Sequence, residues 1–409
     1  MRVPAPLSSC SRTTPADRVA FWSRDGLSVE TTYCRPAPGA EDRTVVDRLV
    51  RMVDDTPPGG QIRATVFRLT VEEFRDALVA AAARGVDVRV VHDGRDLVAE
   101  VAASLTRDAP YGIGAGHRWS GAPDAAVRGR RPDFGAVSTG RNSDLHTKLV
   151  LFSATRDPAG GLREHVTWWS SANVSHHSGM QKANNAVAVY GDRVLHDGLR
   201  TGLWDLMWDR VHFSGNDFYD CATGRGAVLS SPALRTKVFC SPQQTSDLWV
   251  GRLASVVVTP DTEVVLVHAR FTDDRLPVAD ELVRIVRAGG RVRVLAGDDP
   301  DFLGVEVAAR LLAAGVELRR VNTHDKLGLL HTRHGVSRRP RKVVLSGSHN
   351  LNHDANYVND EILVKTFDDD LYDDVLASHV EPLWAESTPY QPVTPPSVPT
   401  AGELQQASG

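Results

Sequence analysis

Apolar residues recur along this chain in two rhythms. The stretch DALVAAAARGVDVRVVHDG, residues 76–94, first spaces them every three to four positions and then alternates them with Asp87 and Arg89. The first rhythm predicts an amphipathic helix, the glycine a turn, and the second rhythm a valine-rich strand. The same order returns in DELVRIVRAGGRVRVLAGD, residues 280–298. The flanks repeat as well. TPPGGQIRATVF (56–67) and TPDTEVVLVHAR (259–270) each read as a turn and a strand, and VAEVAASL (98–105) and VEVAARLL (305–312) as a second helix.

Each half therefore reads strand, helix, strand, helix. That alternation predicts an α/β fold with a mainly parallel sheet flanked by helices. The duplication predicts two tandem lobes related by a pseudo-twofold axis, so that corresponding residues can meet at the interface. The first lobe is placed at 42–215, a linker at 216–245, and the second lobe at 246–388. Residues 1–41 read as a partly disordered extension and the Pro-rich 389–409 as a disordered tail. The first half carries extra residues at 108–144, rich in Gly, Pro and Arg, which read as a long loop holding Arg118 and Trp119.

Composition narrows the classes. The chain has 409 residues, 42% hydrophobic and 24% charged, which fits a globular protein of two domains. A net charge of −4 argues against a general polyanion binder. Two basic clusters, Arg128, Arg130 and Arg131, then Arg338, Arg339, Arg341 and Lys342, read as solvated loops. The cysteines Cys10, Cys34, Cys221 and Cys240 form no CxxC pair, so nothing points to zinc. They fit two disulfides, with Cys221–Cys240 closing a local loop in an oxidising compartment, or four thiols. No apolar run approaches the ~18 residues of a membrane span, and the N-terminus lacks a signal peptide's apolar stretch. An extracellular protein whose leader is missing and a cytoplasmic one both fit.

The chemistry-bearing residues also come in duplicate. His146-Thr147-Lys148 is followed by HVTWWSSANVS, and His324-Asp325-Lys326 by KVVLSGSHNLN. Each half reads H-x-K, an apolar strand, a turn, a second strand and S-x-N, ending on Ser171 and Asn173 or on Ser348 and Asn350. The lysine-to-serine spacing is 23 in one half and 22 in the other. With 15 histidines and six lysines, one H-x-K triplet is expected by chance roughly 0.2 times, and two in matched contexts far less often. His331-Thr332-Arg333 has no counterpart in the first half and reads as a loop. Of Trp168 and Trp169, one should face the core and the other the opposite side, where it could line a pocket. His176 and His177 read as rim residues.

This doubled pattern resembles the phospholipase D superfamily, whose signature pairs H-x-K with a downstream G-S-x-N, twice per active site. It is similar to secreted actinobacterial members through Gly347-Ser348-His349-Asn350 and NDEILV (359–364). Ser170 replaces the first glycine. Ser153 and His331 stand where the lipid-cleaving signature has aspartate. The first-half counterpart of NDEILV reads NNAVAV, with Ala186 in place of Glu361.

Histidine serves near neutral pH as nucleophile or acid, and two lysines supply positive charge around a phosphate without a metal. Asn173 and Asn350 would donate to its oxygens, with Ser171 and Ser348 bonding or steadying neighbours. The resemblance implies a covalent phosphohistidine, His146 as nucleophile and His324 as acid then base. Glu361 would orient one histidine, which one being open. It further implies a monomer with no cofactor, acting on a phospholipid at a membrane surface with water or an alcohol as acceptor. Metal-independent cleavage of nucleic acid and phosphatidyl transfer are the alternatives. A binding protein that had lost catalysis would show a broken His or Lys, and neither half does.

Overall fold

The computed structural model describes residues 18–93, 117–120, 144–205, 207, 228–243, 246–334 and 340–392. Its first sheet contains β1 (Val19–Arg24), β2 (Leu27–Cys34), β3 (Gln61–Val66), β4 (Asp87–Asp93), β5 (His117–Ser120), β6 (Leu149–Arg156), β7 (Leu162–Ser170) and β8 (Asn184–Tyr190). The second contains β9 (Val228–Ser231) and β10 (Thr236–Ser241). A short β11 (Val256–Val257) pairs only with β15, and then come β12 (Glu263–His268), β13 (Arg291–Gly297), β14 (Glu317–Val321), β15 (Lys326–His334), β16 (Arg341–Gly347), β17 (Glu361–Thr366) and β18 (Thr388–Pro389).

The order β1-β2-β8-β7-β6-β3-β4-β5 in one sheet is matched by β9-β10-β17-β16-β15-β12-β13-β14 in the other, with β18 added at the edge. The two expected α/β lobes are therefore present, strand for strand. Each sheet is mixed rather than mainly parallel. Only β3–β4–β5 and β12–β13–β14 run parallel. Helices Glu72–Ala83, Leu276–Arg287 and Val305–Ala313 cross between β3 and β4, β12 and β13, and β13 and β14, whereas the H-x-K strand pairs directly with the S-x-N strand that follows it, and that pairing is antiparallel.

The periodicity missed one pair of elements. The hairpins β1–β2 and β9–β10 stand in equivalent places, and lobe boundaries at 42 and 246 leave both out. The segment 108–144, read as a loop, contributes β5. His331-Thr332-Arg333 also lies in a strand, not a loop: His331 pairs with Glu263 and Lys342 inside β15. Arg341 and Lys342 open β16, and Lys342 bonds Asp373 at 2.5 Å. Cys10, Cys221, the Arg128 cluster, Arg338, Arg339, residues 98–105 and most of the tail fall outside the described residues. Cys34 is a buried thiol whose sulfur lies 3.1 Å from the Asp42 carbonyl.

Alternation along the strands builds three cores. Val150, Phe152 and Trp168 face the helices Thr44–Asp54 and Glu72–Ala83. Leu330, Val343 and Leu345 face Leu276–Arg287 and Val305–Ala313. The opposite faces, including Leu149, Leu151, Leu327 and Leu329, meet in a central core shared by both lobes. Trp168 and Trp169 do take opposite faces, but both are buried. The Trp169 indole donates to Ser346 Oγ of the other lobe at 2.9 Å.

The N-terminal hairpin is tied to the first lobe by a buried charge pair. Arg48 Nε donates to Glu30 at 2.7 Å, and its Nη2 bonds the Tyr190 hydroxyl at 2.9 Å. Tyr190 itself donates to the Glu30 carboxylate. Removing one partner strands the other charge away from water, which costs about 3–5 kcal/mol. Arg48→Ala should therefore lower the thermal unfolding midpoint sharply. A midpoint unchanged within a degree would show that the hairpin does not depend on this pair.

Candidate active site

The two lobes are stitched together at their H-x-K segments. His146 N donates to Asp360 O at 3.0 Å, and His324 N to Ala183 O at 2.8 Å. Leu145 bridges Asp360, and Thr323 bridges Ala183, each pair parallel. Each motif thus adds to the start of a strand in the opposite lobe, β17 or β8. This crossing carries both histidines to one cavity of about 250 Å³, lined also by Asn173, Asn350, Lys182, Arg68, Arg270, Phe67 and Phe302.

The histidines are held unequally. His146 Nδ1 lies 2.8 Å from the Glu361 carboxylate, which answers which ring Glu361 touches. His146 and Glu361 are 6% and 1% exposed, so neither charge is relieved by water. Burial raises the Glu361 carboxyl to about 8, against the pull of Lys148. Burial, then Lys148 and Lys326, hold His146 well below the usual imidazole range. A proton on Nδ1, held toward the carboxylate, would leave the Nε2 lone pair for the cavity.

Backbone pairing corrects the expected counterpart of Glu361. Because Asp360 and Ala183 accept the equivalent bonds, the next residues correspond, Glu361 with Asn184 rather than Ala186. Asn184 donates to the carbonyls of Ser178 at 3.0 Å and Lys182 at 2.8 Å, which turns its Oδ1 toward His324 Nδ1 at 3.3 Å. Ser171 O lies 3.1 Å from the same nitrogen. Both oxygens only accept, which favours a proton on this nitrogen, while Lys326 Nζ stands against the ring, 2.9 Å from Nδ1 and 3.2 Å from Nε2. Burial, Lys326 and Lys148 hold His324 well below the usual range.

The lysines repeat one geometry. Lys148 Nζ donates to His146 O at 2.5 Å, and Lys326 Nζ to His324 O. Lys148 also lies 5.1 Å from the Phe67 ring centroid, and that ring meets His146 at 4.8 Å. Burial, then the neighbouring Lys148, push the Lys326 ammonium well below its usual value. Asn173 and Asn350 line the cavity, and Asn173 spends one N–H on Ser178 Oγ at 2.6 Å.

The serines steady the frame. Ser171 Oγ accepts from Asn185 N, and Ser348 Oγ from Ile362 N, both at 3.0 Å. Gly347 has φ 131°, and a Cβ there would stand 2.4 Å from Ile362 O, which explains the glycine before Ser348. Ser170, at the equivalent place, has no positive φ and instead donates to Asn185 O. His177 lies on the rim, as expected, and His176 bonds Glu41 at 3.0 Å on the surface.

Sequence reasoning missed Phe67, Arg68, Asn184, Lys182 and Arg270. Arg270 closes the repeated strand word, and Lys182 is one of only six lysines, so two of these had a visible signal. Asp325, the middle residue of its motif, is buried beneath the site. Burial alone would raise its carboxyl, but His379 at 2.9 Å, Thr323 and Asn185 hold it below the ordinary value. Among the described residues no cluster of His, Cys, Asp and Glu is arranged to hold a metal.

The chain matches the family described as cardiolipin synthase, PLD-like domain, over residues 58–200 and 259–384, one stretch in each lobe. No curated protein matches it. Among solved structures, phosphatidylserine synthase from Haemophilus influenzae Rd KW20 is similar over 84% of each chain, with TM-score 0.55 and 13% identity, a likeness of fold. Polyphosphate kinase from Porphyromonas gingivalis is matched over 89% of this chain and 53% of its own, with TM-score 0.47 and 14% identity. The chain thus spans about half that enzyme's length. Nuc, a phospholipase D family member from Salmonella typhimurium, is matched over 38% of this chain and 97% of its own, with TM-score 0.31 and 18% identity. Two lobes that both fit the family pattern, and that bring their H-x-K histidines and S-x-N asparagines to one cavity, make this chain a member of the phospholipase D-like family.

Proposed function

We propose that the chain cleaves a phospholipid phosphodiester through a covalent phosphohistidine and passes the phosphatidyl group to water or an alcohol. The observation that carries this is the convergence of two imidazoles, one per lobe, on one cavity, each with Nδ1 beside an acceptor oxygen. In the first step His146 Nε2 forms a bond to phosphorus, and the P–O bond to the leaving group breaks. His324, protonated at Nε2, gives that oxygen its proton. In the second step neutral His324 takes a proton from water or an alcohol, whose oxygen attacks phosphorus and releases His146. Lys148, Lys326 and the amides of Asn173 and Asn350 meet charge on the equatorial oxygens.

The lipid reading draws support from a second cavity of about 1010 Å³ that adjoins the first through His177 and Lys182. Pro36, Ala37, Pro38, Val321 and Leu383 give it an apolar wall beside Arg18, Arg35 and Arg320, a lining suited to an amphiphile. Nucleic-acid cleavage and phosphatidyl transfer use the same chemistry. A panel of phosphatidylcholine vesicles, phosphatidylglycerol vesicles and plasmid DNA, with chelator present, tests the choice. Headgroup release should dominate and fall by about four orders of magnitude in His146→Ala. DNA nicking without headgroup release would overturn the lipid assignment.

The roles also predict a mutant and a pH profile. Glu361→Gln offers an amide that can donate to Nδ1 and favour the wrong tautomer, so kcat should fall by about 10²–10⁴. For pH, the acid form of His324 is present below its pKa and lost above it. That pKa is depressed, so kcat/KM should already decline with rising pH below the ordinary imidazole value of about 6.5. The bound diester's charge favours the imidazolium, so the matching limb of kcat should lie at higher pH. A kcat/KM that stays flat to pH 8 would remove His324 from the acid role.

A further inference from the structure

The duplication places one more pair of cations at the cavity. After β3 the chain runs Phe67-Arg68, and after β12 it runs Ala269-Arg270. Two residues later the backbones match again, with Thr70 N bonded to Val174 O and Thr272 N to Leu351 O. Arg68 and Arg270 thus hold the same position in the two lobes, and both line the cavity of His146 and His324.

Aromatic rings prop both guanidinium groups. Arg270 lies 4.1 Å from the Phe302 ring centroid, and Arg68 lies 5.5 Å from that of Phe67. Phe67 is the ring that meets His146, so Arg68 stands one ring away from the reacting imidazole. Arg270 has no carboxylate within ion-pair distance among the described residues. Asp299 and Asp354 line the same cavity and attract it from farther off. Burial disfavours the Arg270 cation most, Asp299 favours it, and Arg68 disfavours it in turn.

A single diester does not require this pair. It carries one negative charge, and the proposed mechanism already assigns Lys148 and Lys326 to its oxygens. A guanidinium fork suits a phosphate held by two parallel hydrogen bonds. We propose that Arg68 and Arg270 form an anion clamp at the cavity mouth for a second phosphate of the substrate, outward of the scissile phosphorus. The clamp deepens the phosphodiester reading and depends on it for the place of the first phosphate. The second could belong to a phosphorylated lipid headgroup or to the next link of a nucleic-acid backbone.

Binding of inorganic phosphate and of pyrophosphate to the full chain, measured by calorimetry, tests the clamp without any turnover. Pyrophosphate reaches both positions and should bind at least about tenfold tighter than phosphate, the gain from one added charge-assisted contact. In the Arg68→Ala/Arg270→Ala double variant that preference should shrink to within threefold, with the thermal midpoint recording that the chain still folds. Equal affinities in the wild type, or a preference that survives in the double variant, would overturn the clamp. Its failure would leave the diesterase reading intact, because that reading is decided by headgroup release and His146→Ala. The source of the second phosphate follows from kcat/KM on a lipid with a phosphorylated headgroup and on a short oligonucleotide. The substrate that loses more in the double variant supplies it, and no loss on either counts against the clamp.

Discussion

Everything at this site depends on a backbone exchange between the lobes. The segment before each H-x-K lysine reaches out of its own lobe. It pairs with the first residues of the opposite lobe's β8 or β17, through His324 N to Ala183 O and His146 N to Asp360 O. Main-chain hydrogen bonds fix a strand's register, and register decides which side chains share a face. The exchange therefore sets which residue of one lobe stands beside the imidazole of the other. The shared core of Leu149, Leu151, Leu327 and Leu329 lies directly behind it, so the site is as rigid as the packing of the two sheets.

The axis relates positions, and the side chains at those positions differ. Glu361 answers to Asn184, Phe67 to Ala269, and Thr147 to Asp325. These differences all bear on charge. His146 has a carboxylate at its Nδ1, while His324 has an amide and a carbonyl oxygen. The buried carboxylate of the second motif, Asp325, sits instead with His379, and that ring stacks on Tyr33 of the N-terminal hairpin at 4.7 Å. The second lobe thus supplies both buried carboxyls, and of the two only Glu361 touches a histidine of an H-x-K motif. A symmetric frame that leaves its two histidines in unequal surroundings suits a reaction that needs one base and one acid at the same moment.

The sequence showed what is local. Strand and helix rhythms revealed the duplication, and two H-x-K words with matched serines revealed the site's skeleton. It hid what depends on pairing between distant segments. The hairpins β1–β2 and β9–β10 went unseen because their sequences do not repeat, although they dock on β8 and β17 in the same way. The partner of Glu361 was misplaced by two residues because matching letters, NNA against NDE, ran ahead of the register that hydrogen bonds impose. The mainly parallel sheet failed for a related reason. Periodicity counts strands but does not report that two of them are joined by a hairpin.

Arg68 and Arg270 show where the two kinds of information meet. Letters alone place each arginine at the end of a valine-rich strand, where a solvated charge is unexceptional. The pseudo-twofold axis turns that position into a pair, because whatever follows β3 in one lobe must face whatever follows β12 in the other. Duplication then makes any cation at this position a double cation, and the fold must bear the repulsion. Lys148 and Lys326 bear theirs under cover, with Glu361 and Asp325 close by. The arginines line the cavity wall against aromatic faces, Arg68 by Phe67 and Arg270 by Phe302. One cation pair buried beside carboxyls and a second set in the wall fit the two tasks proposed for them, holding the reacting phosphate and meeting what is attached to it.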